Sequence, residues 1–396
     1  MKLRSFSEKD VRGKKVLVRV DFNVPLKNGV VGDTTRISAH EDVVSRLLRW
    51  GARVALISHL GRPKGAVVPD MSLSHVRSEA ERIFGIPVRF CPDCVGPEVE
   101  KAVQDQKDGE VLLLENVRFH PEEQKNDRHF AERLAAPFQV FVMDAFSASH
   151  RADSSTSAII DLLPSFAGPL LQREATMLSS VSGNPERPFV LILGGAKVSD
   201  KIGVVENLMD KASAILVGGG MAFTFLGAKG EAIGRSLFEG DKADFAARMM
   251  ERAKKIGVDL LLPVDVVTAS SPDATAGQQV HPAGAIPADM MGLDIGPETV
   301  RLFAERAAGA KTILWNGPMG VFENPLFAAG TKGVAEGVAE CTERGGTTVI
   351  GGGDTAAAAK ALGFDGKVSH VSTGGGASLE FCEGKELPGI APLVVE

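Results

Sequence analysis

Short apolar runs that recur from one end of the chain to the other constrain its fold more than any other feature. In the first half they are KVLVRVD (15–21), ARVALIS (52–58), IPVRF (86–90), VLLLE (111–115) and QVFVMD (139–144). The second half repeats the theme with FVLILGG, SAILVGGG, DLLLPVD, KTILWNGP and GTTVIGGG. These runs are near-continuous rather than alternating, so strands built from them must be covered on both faces. Amphipathic stretches such as TRISAHEDVVSRLLRWG and NDRHFAERLAA lie between them. Such a rhythm predicts an α/β fold with parallel sheets and right-handed crossovers.

A chain of 396 residues has room for roughly two or three domains. Between about 165 and 188 a helical pattern sits between proline- and glycine-containing turns. Two similar-sized α/β domains joined by a helix follow, with the cleft between them as the expected site. The opening MKLRSFSEKD carries charges throughout and no apolar core of a signal peptide. The longest uncharged stretch, 212–228, contains four glycines and is short for a bilayer span. The expectation is a cytoplasmic enzyme.

Charge divides unevenly. Up to Arg173 the net charge is +2 and beyond it −8, and 16 of the 23 arginines fall in the first segment. Arginine grips carboxylate and phosphate bidentately, so a small anionic ligand is expected there, although solvated helix faces account for many of these residues. Neither half is basic enough for nucleic acid. Of the four cysteines only Cys91 and Cys94 stand close, as CPDC. They read as two reduced thiols, or as half of a zinc site that lacks its other ligands.

Ligands of open parallel sheets sit beyond the carboxyl ends of the strands. In the second half those ends are GGAK (194–197), GGG (218–220), WNGPMGVFE (315–323), GGGDT (351–355) and STGGGAS (372–378). Glycine lets backbone approach a ligand closely and helix N-termini attract anions, so the set favours a polyphosphate over purely structural turns. Asp354 is the candidate Mg²⁺ carboxylate, and equally an N-cap for the alanine-rich helix that follows. Lys197 and Lys201 stand four apart, on one face of any helix that contains both. No G-x-G-x-x-G, Walker loop, G-x-S-x-G or H-E-x-x-H occurs.

In the first half, RVDFN presents Asp21 and Asn23, SHLGRP presents His59 and Arg62, and ENVRFH presents Arg118. MDAFSASHRA adds His150 and Arg151, and Arg36 lies after the first strand. Together they describe a pocket for a phosphorylated, carboxylate-bearing small molecule. An acceptor carboxylate is already ionised at neutral pH. Its phosphorylation needs alignment and charge neutralisation but no general base, which suits the absence of an obvious one.

RVDFNVPLKNG, ISHLGRPKG, ENVRFHPEEQKND, ILGGAKVSDKI, GMAFTF, GLDIGP, WNGPMGVFE, GGGDTAAA and STGGGASLEFCEGKELPGI occur in one order along the whole chain. The chain thereby resembles the phosphoglycerate kinases. The resemblance implies two doubly wound domains, each with a parallel six-stranded sheet flanked by helices. Residues 1–170 would bind 3-phosphoglycerate and 186–379 the nucleotide. Residues 171–185 would form the interdomain helix, and 380–396 would pack back on the first domain. It implies reversible phosphoryl transfer between 1,3-bisphosphoglycerate and Mg-ADP by a monomer that closes about a hinge, with small-molecule partners only and neither nucleic acid nor membrane.

By the same resemblance, Asp21, Phe22, Asn23, Arg36, His59, Leu60, Gly61, Arg62, Arg118, His150 and Arg151 would bind the glycerate substrate. Lys201 would contact nucleotide phosphates, Gly292 and Asn316 would lie along the nucleotide, and Glu323 would meet the ribose. Gly352, Gly353, Asp354 and Thr355 would begin the phosphate-binding helix, with Asp354 reaching Mg²⁺. Arg36 and Lys197, with amides around Gly375, would stabilise the phosphoryl group in flight. One loop departs from the family: DAFSASHRAD stands where D-A-F-G-T-A-H-R-A-H is common. A carboxylate facing a substrate phosphate repels it, so Asp153 is expected to point away or to cap the SST segment. A kinase for another small carboxylate, and a non-catalytic nucleotide-binding protein on the same scaffold, are the alternative readings.

Overall fold

The computed structural model describes residues 1–395. The chain forms two compact units, Met1–Thr176 with the residues from Glu386 onward, and Met177–Lys385. The first is built on β1 (Lys15–Arg19), β2 (Arg53–Ile57), β3 (Val88–Cys91), β4 (Val111–Leu114), β5 (Val140–Met143) and β6 (Ser165–Ala167). Their order is β3-β4-β2-β1-β5-β6 and every pairing is parallel. All four residues of β4 and of β5 are buried, as strands covered on both faces must be. On one face Val16 and Val18 pack with Val54, Leu56, Val140 and Val142. The helix Glu41–Arg49 turns Val43, Val44 and Leu47 into that core, while Arg46 pairs with Asp42 in solvent.

The carboxyl-terminal residues complete this first unit. Leu3 bridges Val394, and the Gly389 amide donates to the Ser149 carbonyl at 2.9 Å. The chain leaves β1 toward β2 and later crosses to β5 on the other side of β1. The strand order therefore reverses beside β1, which is where an open α/β sheet binds ligand.

The second unit contains β7 (Phe189–Leu193), β8 (Ala214–Val217) and β9 (Asp259–Leu261). Next come β10 (Asp265–Ala269), β11 (Gln279–Pro282) and β12 (Met291–Ile295), followed by β13 (Thr312–Asn316), β14 (Thr347–Gly351) and β15 (His370–Val371). A parallel sheet of order β9-β8-β7-β13-β14-β15 reverses between β7 and β13. Trp315 is fully buried beneath it, stacked on Phe364 at 5.4 Å, with its indole N–H donating to the Gly317 carbonyl at 2.8 Å. A small antiparallel sheet, β11-β10-β12, was not expected from the sequence. The fold is α/β with parallel sheets, as the buried runs predict, and each main sheet has the six strands that the resemblance implies.

Candidate functional site

In the first unit the carboxyl ends of β1, β2, β4 and β5 bring most of the anticipated side chains to one place. Arg36 donates to the Asp21 carboxylate, which also accepts the Ser147 hydroxyl and, at 2.9 Å, the Asn23 amide. Asn23 in turn accepts the Gly61 amide at 2.9 Å, and Arg118 Nη1 donates to the Gly61 carbonyl at 3.0 Å. Gly61 has φ +65°, a conformation that suits glycine, and it presents Arg62 in solvent. Phe22 and Leu60 bury their side chains in the core, so only their backbone can face a ligand. His150 and Arg151 are half-buried just beyond the 3₁₀ turn Phe146–Ala148.

Beneath this shell lies a buried network that the sequence did not disclose. Arg19 is wholly buried on β1, with Nε donating to Ser155 Oγ at 2.8 Å and Nη2 to His59 Nδ1 at 3.1 Å. Ser155 passes the contact on, donating Oγ to Glu123 Oε1 at 2.5 Å and its amide to Oε2 at 3.0 Å. An arginine within an otherwise apolar strand run was the one available signal, since a buried charge demands partners. Glu123 had none. On the other side His40 accepts the Asp21 amide at 2.9 Å and lies 2.7 Å from Asp144. Asp144 accepts the Leu170 amide at 2.9 Å, in the first turn of the helix Pro169–Ser182.

The electrostatics follow from burial among cations. Burial, reinforced by Arg19, Arg118 and Arg151, holds the His59 imidazole well below its usual range against the pull of Asp21, so the ring is neutral at pH 7. Burial also opposes ionisation of Asp21, yet His59, Arg36, Ser147 and the Asn23 amide bring its carboxyl down to about 2. Burial and the neighbouring Arg151 push Arg118 down to about 10, which leaves it charged. Burial raises Glu123 to about 7, outweighing Arg19 and Ser155. Asp153 does not cap the SST segment with its side chain, but is buried with Oδ2 3.8 Å from Arg118 Nη2.

In the second unit, the ends of β7, β13 and β14 surround a cavity of about 530 Å³. Lys197, Lys201, Asn316, Gly352, Gly353, Asp354, Thr355 and Gly375 all line it. Lys201 donates to the Asn316 side chain, and burial lowers its ammonium pKa despite Asp200, Asp354 and Glu383. The two lysines do not share a helical face, because the helix Ile202–Leu208 begins after both. Glu239 holds this segment, accepting the Val198 amide at 2.5 Å and the Ser199 amide at 3.1 Å. Lys197 and Lys201 reach the same cavity from a non-helical loop instead.

Gly352 (φ +88°) and Gly375 (φ +54°) are the N-caps of the helices Gly353–Leu362 and Gly376–Cys382. Two helix N-termini thus open on the cavity. Asp354 lies exposed in the first turn of the former, an arrangement that fits Mg²⁺ held by one carboxylate together with a polyphosphate. Gly292 and Glu323 do not line the cavity. Gly292 lies on β12, where its amide donates to Ser236 at 2.9 Å, and Glu323 is exposed in the turn after β13.

The cysteines are free and buried. Of the CPDC pair, Cys94 has candidate ligand atoms of Asp93 and His120 within 4.8 Å. Asp93 already lies 2.8 Å from His120 Nε2 and accepts the Cys94 amide at 2.6 Å, and burial raises the Cys94 thiol well above its usual range. The trio reads as a closed turn. Among the described residues no helix is long and apolar enough to cross a membrane.

Comparison with known proteins adds an independent line. The family profile described as "Phosphoglycerate kinase" matches residues 6–385. A phosphoglycerate kinase of Moorella thermoacetica is 53% identical over 384 residues, 97% of each chain. A cytosolic phosphoglycerate kinase of Triticum aestivum is 50% identical over 391 residues, 98% of this chain and 97% of its own. The solved structure of phosphoglycerate kinase from Coxiella burnetii superposes with a TM-score of 0.89 at 39% identity, covering 99% of both chains.

Proposed function

The chain belongs to the phosphoglycerate kinase family, and from that premise we propose that it transfers a phosphoryl group directly between 1,3-bisphosphoglycerate and Mg-ADP, giving 3-phosphoglycerate and ATP. One observation carries the reading. The lysines, glycine turns and helix N-termini suited to a polyphosphate share one cavity in the second unit, while the arginines suited to a small anion gather in the first.

The glycerate is held by Asp21, Asn23, Arg36, His59, Arg62, Arg118 and Arg151, with backbone of Phe22, Leu60 and Gly61 and help from His150. Arg118 and Arg151 are charged donors for its phosphate. Arg36 is oriented by Asp21, so that its remaining donors can meet charge developing on the transferred group. Neutral His59 accepts from Arg19 through Nδ1, which leaves its Nε2–H to donate to substrate. The acceptor is a carboxylate, so no residue need remove a proton.

In the second unit Lys201 and the Gly352–Thr355 turn hold nucleotide phosphates, with Gly292 and Asn316 along the nucleotide and Glu323 at the ribose. Lys197 and the Gly375 amides face the phosphoryl group in transit. Asp354 would hold Mg²⁺, which when bound supplies positive charge against the β- and γ-phosphates. The two ligand sets belong to different units, and the hinge closure that the resemblance implies would bring both ligands together for in-line transfer and exclude water. We assign the protein to the cytoplasm as a monomer. A coupled assay with 3-phosphoglycerate and Mg-ATP tests the reading. Turnover is expected, and folded protein without turnover refutes it. A substrate panel in which another acid outperforms 3-phosphoglycerate would move the assignment to a different carboxylate kinase.

A further inference from the structure

We propose that Asp153 is an internal counter-anion of Arg118, one that weakens the first unit's grip on anionic substrate while stabilising the unliganded fold. The inference deepens the substrate reading above and rests on it. Arg118 Nη1 is committed to the Gly61 carbonyl, but its Nε is buried without a hydrogen-bond partner. Asp153 Oδ2 is likewise buried and unbonded, 3.8 Å from Arg118 Nη2. That separation is an ionic contact and too long for a hydrogen bond. Asp153 therefore offers the arginine charge without occupying its donors.

The surroundings make that charge matter. Arg19, Arg118 and Arg151 crowd together, and the repulsion among them is opposed by Glu123 and Asp153. Glu123 is tied to Ser155 through both carboxylate oxygens, whereas Asp153 Oδ2 is bound to nothing. An anion that takes the open donors of Arg118 comes to rest beside a second, poorly screened negative charge. Asp153 thus sets the affinity of the pocket through Arg118, as a positioning residue that need not touch substrate.

The test uses the full chain with Asp153→Asn, Asp153→Ser and the charge-retaining Asp153→Glu. The backbone bonds of residue 153 to Thr156 and Ser157 remain available in all three. Calorimetry with inorganic phosphate, in the presence of Mg-ADP to fill the second unit's cavity, should show the Asn and Ser variants binding about tenfold more tightly, the order expected for loss of one nearby charge in a protein interior. KM for 3-phosphoglycerate should fall in parallel, KM for Mg-ATP should hold, and the unliganded Tm should drop. Asp153→Glu should stay near wild type. Unchanged or weaker phosphate binding in the neutral variants overturns the proposal, as does a Glu variant that behaves like Asn, or failure of both neutral variants to fold. Wild-type turnover is the separate control. If it is absent while Asp153→Asn still tightens phosphate, the kinase reading fails and this inference stands.

Discussion

At the scale of single residues, Arg36 and the buried carboxyls make the sharpest predictions. Among the described residues Arg36 is the one cation hydrogen-bonded to the Asp21 carboxylate, and it remains partly exposed for a ligand. Arg36→Ala should lower kcat by roughly 10³-fold, as removal of an arginine acting on a phosphoryl transition state does. A loss under about tenfold in steady-state assays contradicts that role. Glu123 and Asp294 are both raised to about 7 by burial. Unfolded carboxyls titrate near about 4, so between about pH 4 and 7 the native state binds more protons than the unfolded one, and stability falls as pH rises. Each group contributes a slope of up to about 1.4 kcal/mol per pH unit. Asp21, held at about 2, and His59, held well below its usual range, have the opposite sign: Asp21 loses its contribution only as pH falls below about 4, and His59 offsets one of the two raised carboxyls up to about pH 6.5. Urea midpoints from pH 4.5 to 7.5 should therefore decline in wild type and flatten in Glu123→Gln and Asp294→Asn. A wild-type profile that rises across this range excludes the account.

Elements show how much could be read in advance. The long buried runs became strands almost where they stand: KVLVRVD yielded β1 at Lys15–Arg19, and QVFVMD yielded β5 at Val140–Met143. Both-face burial leaves such runs few alternatives. β6 and β15 were not legible, because edge strands of three and two residues carry no periodic signal. The course of the loop 194–201 was not legible for another reason. It is hydrogen-bonded to Glu239, some 40 residues away, a contact that no local pattern reveals. The grouping of glycines at strand ends was legible, yet the sequence does not say which glycines are obligatory. Gly317 is one: at φ +102° its Cβ would lie 2.1 Å from the Gly194 carbonyl oxygen. Gly317→Ala should distort the turn beside Asn316 and cost several kcal/mol, on the order of ~3, in stability, together with nucleotide binding. Thermal melts and ADP titration would show both losses, and a variant with wild-type values would mean that this turn can move.

For the molecule as a whole, direct transfer between ligands held by separate units predicts a conformational response. Small-angle scattering should show the radius of gyration falling when 3-phosphoglycerate and a non-hydrolysable Mg-ATP analogue are both present, and changing less with either alone. An unchanged profile with both bound would argue against hinge closure. The division of the chain has a different consequence, in time rather than space. The second unit is continuous in sequence, whereas the first needs the segment from Glu386 onward, which reaches Leu3 and Ser149. The residues from Glu386 onward are made after every residue of the second unit. The first unit therefore cannot be completed until the second has been synthesised, although most of it is made earlier. Birth and completion are out of step, and the Ser149 carbonyl beside His150 and Arg151 gains the Gly389 amide only after that point.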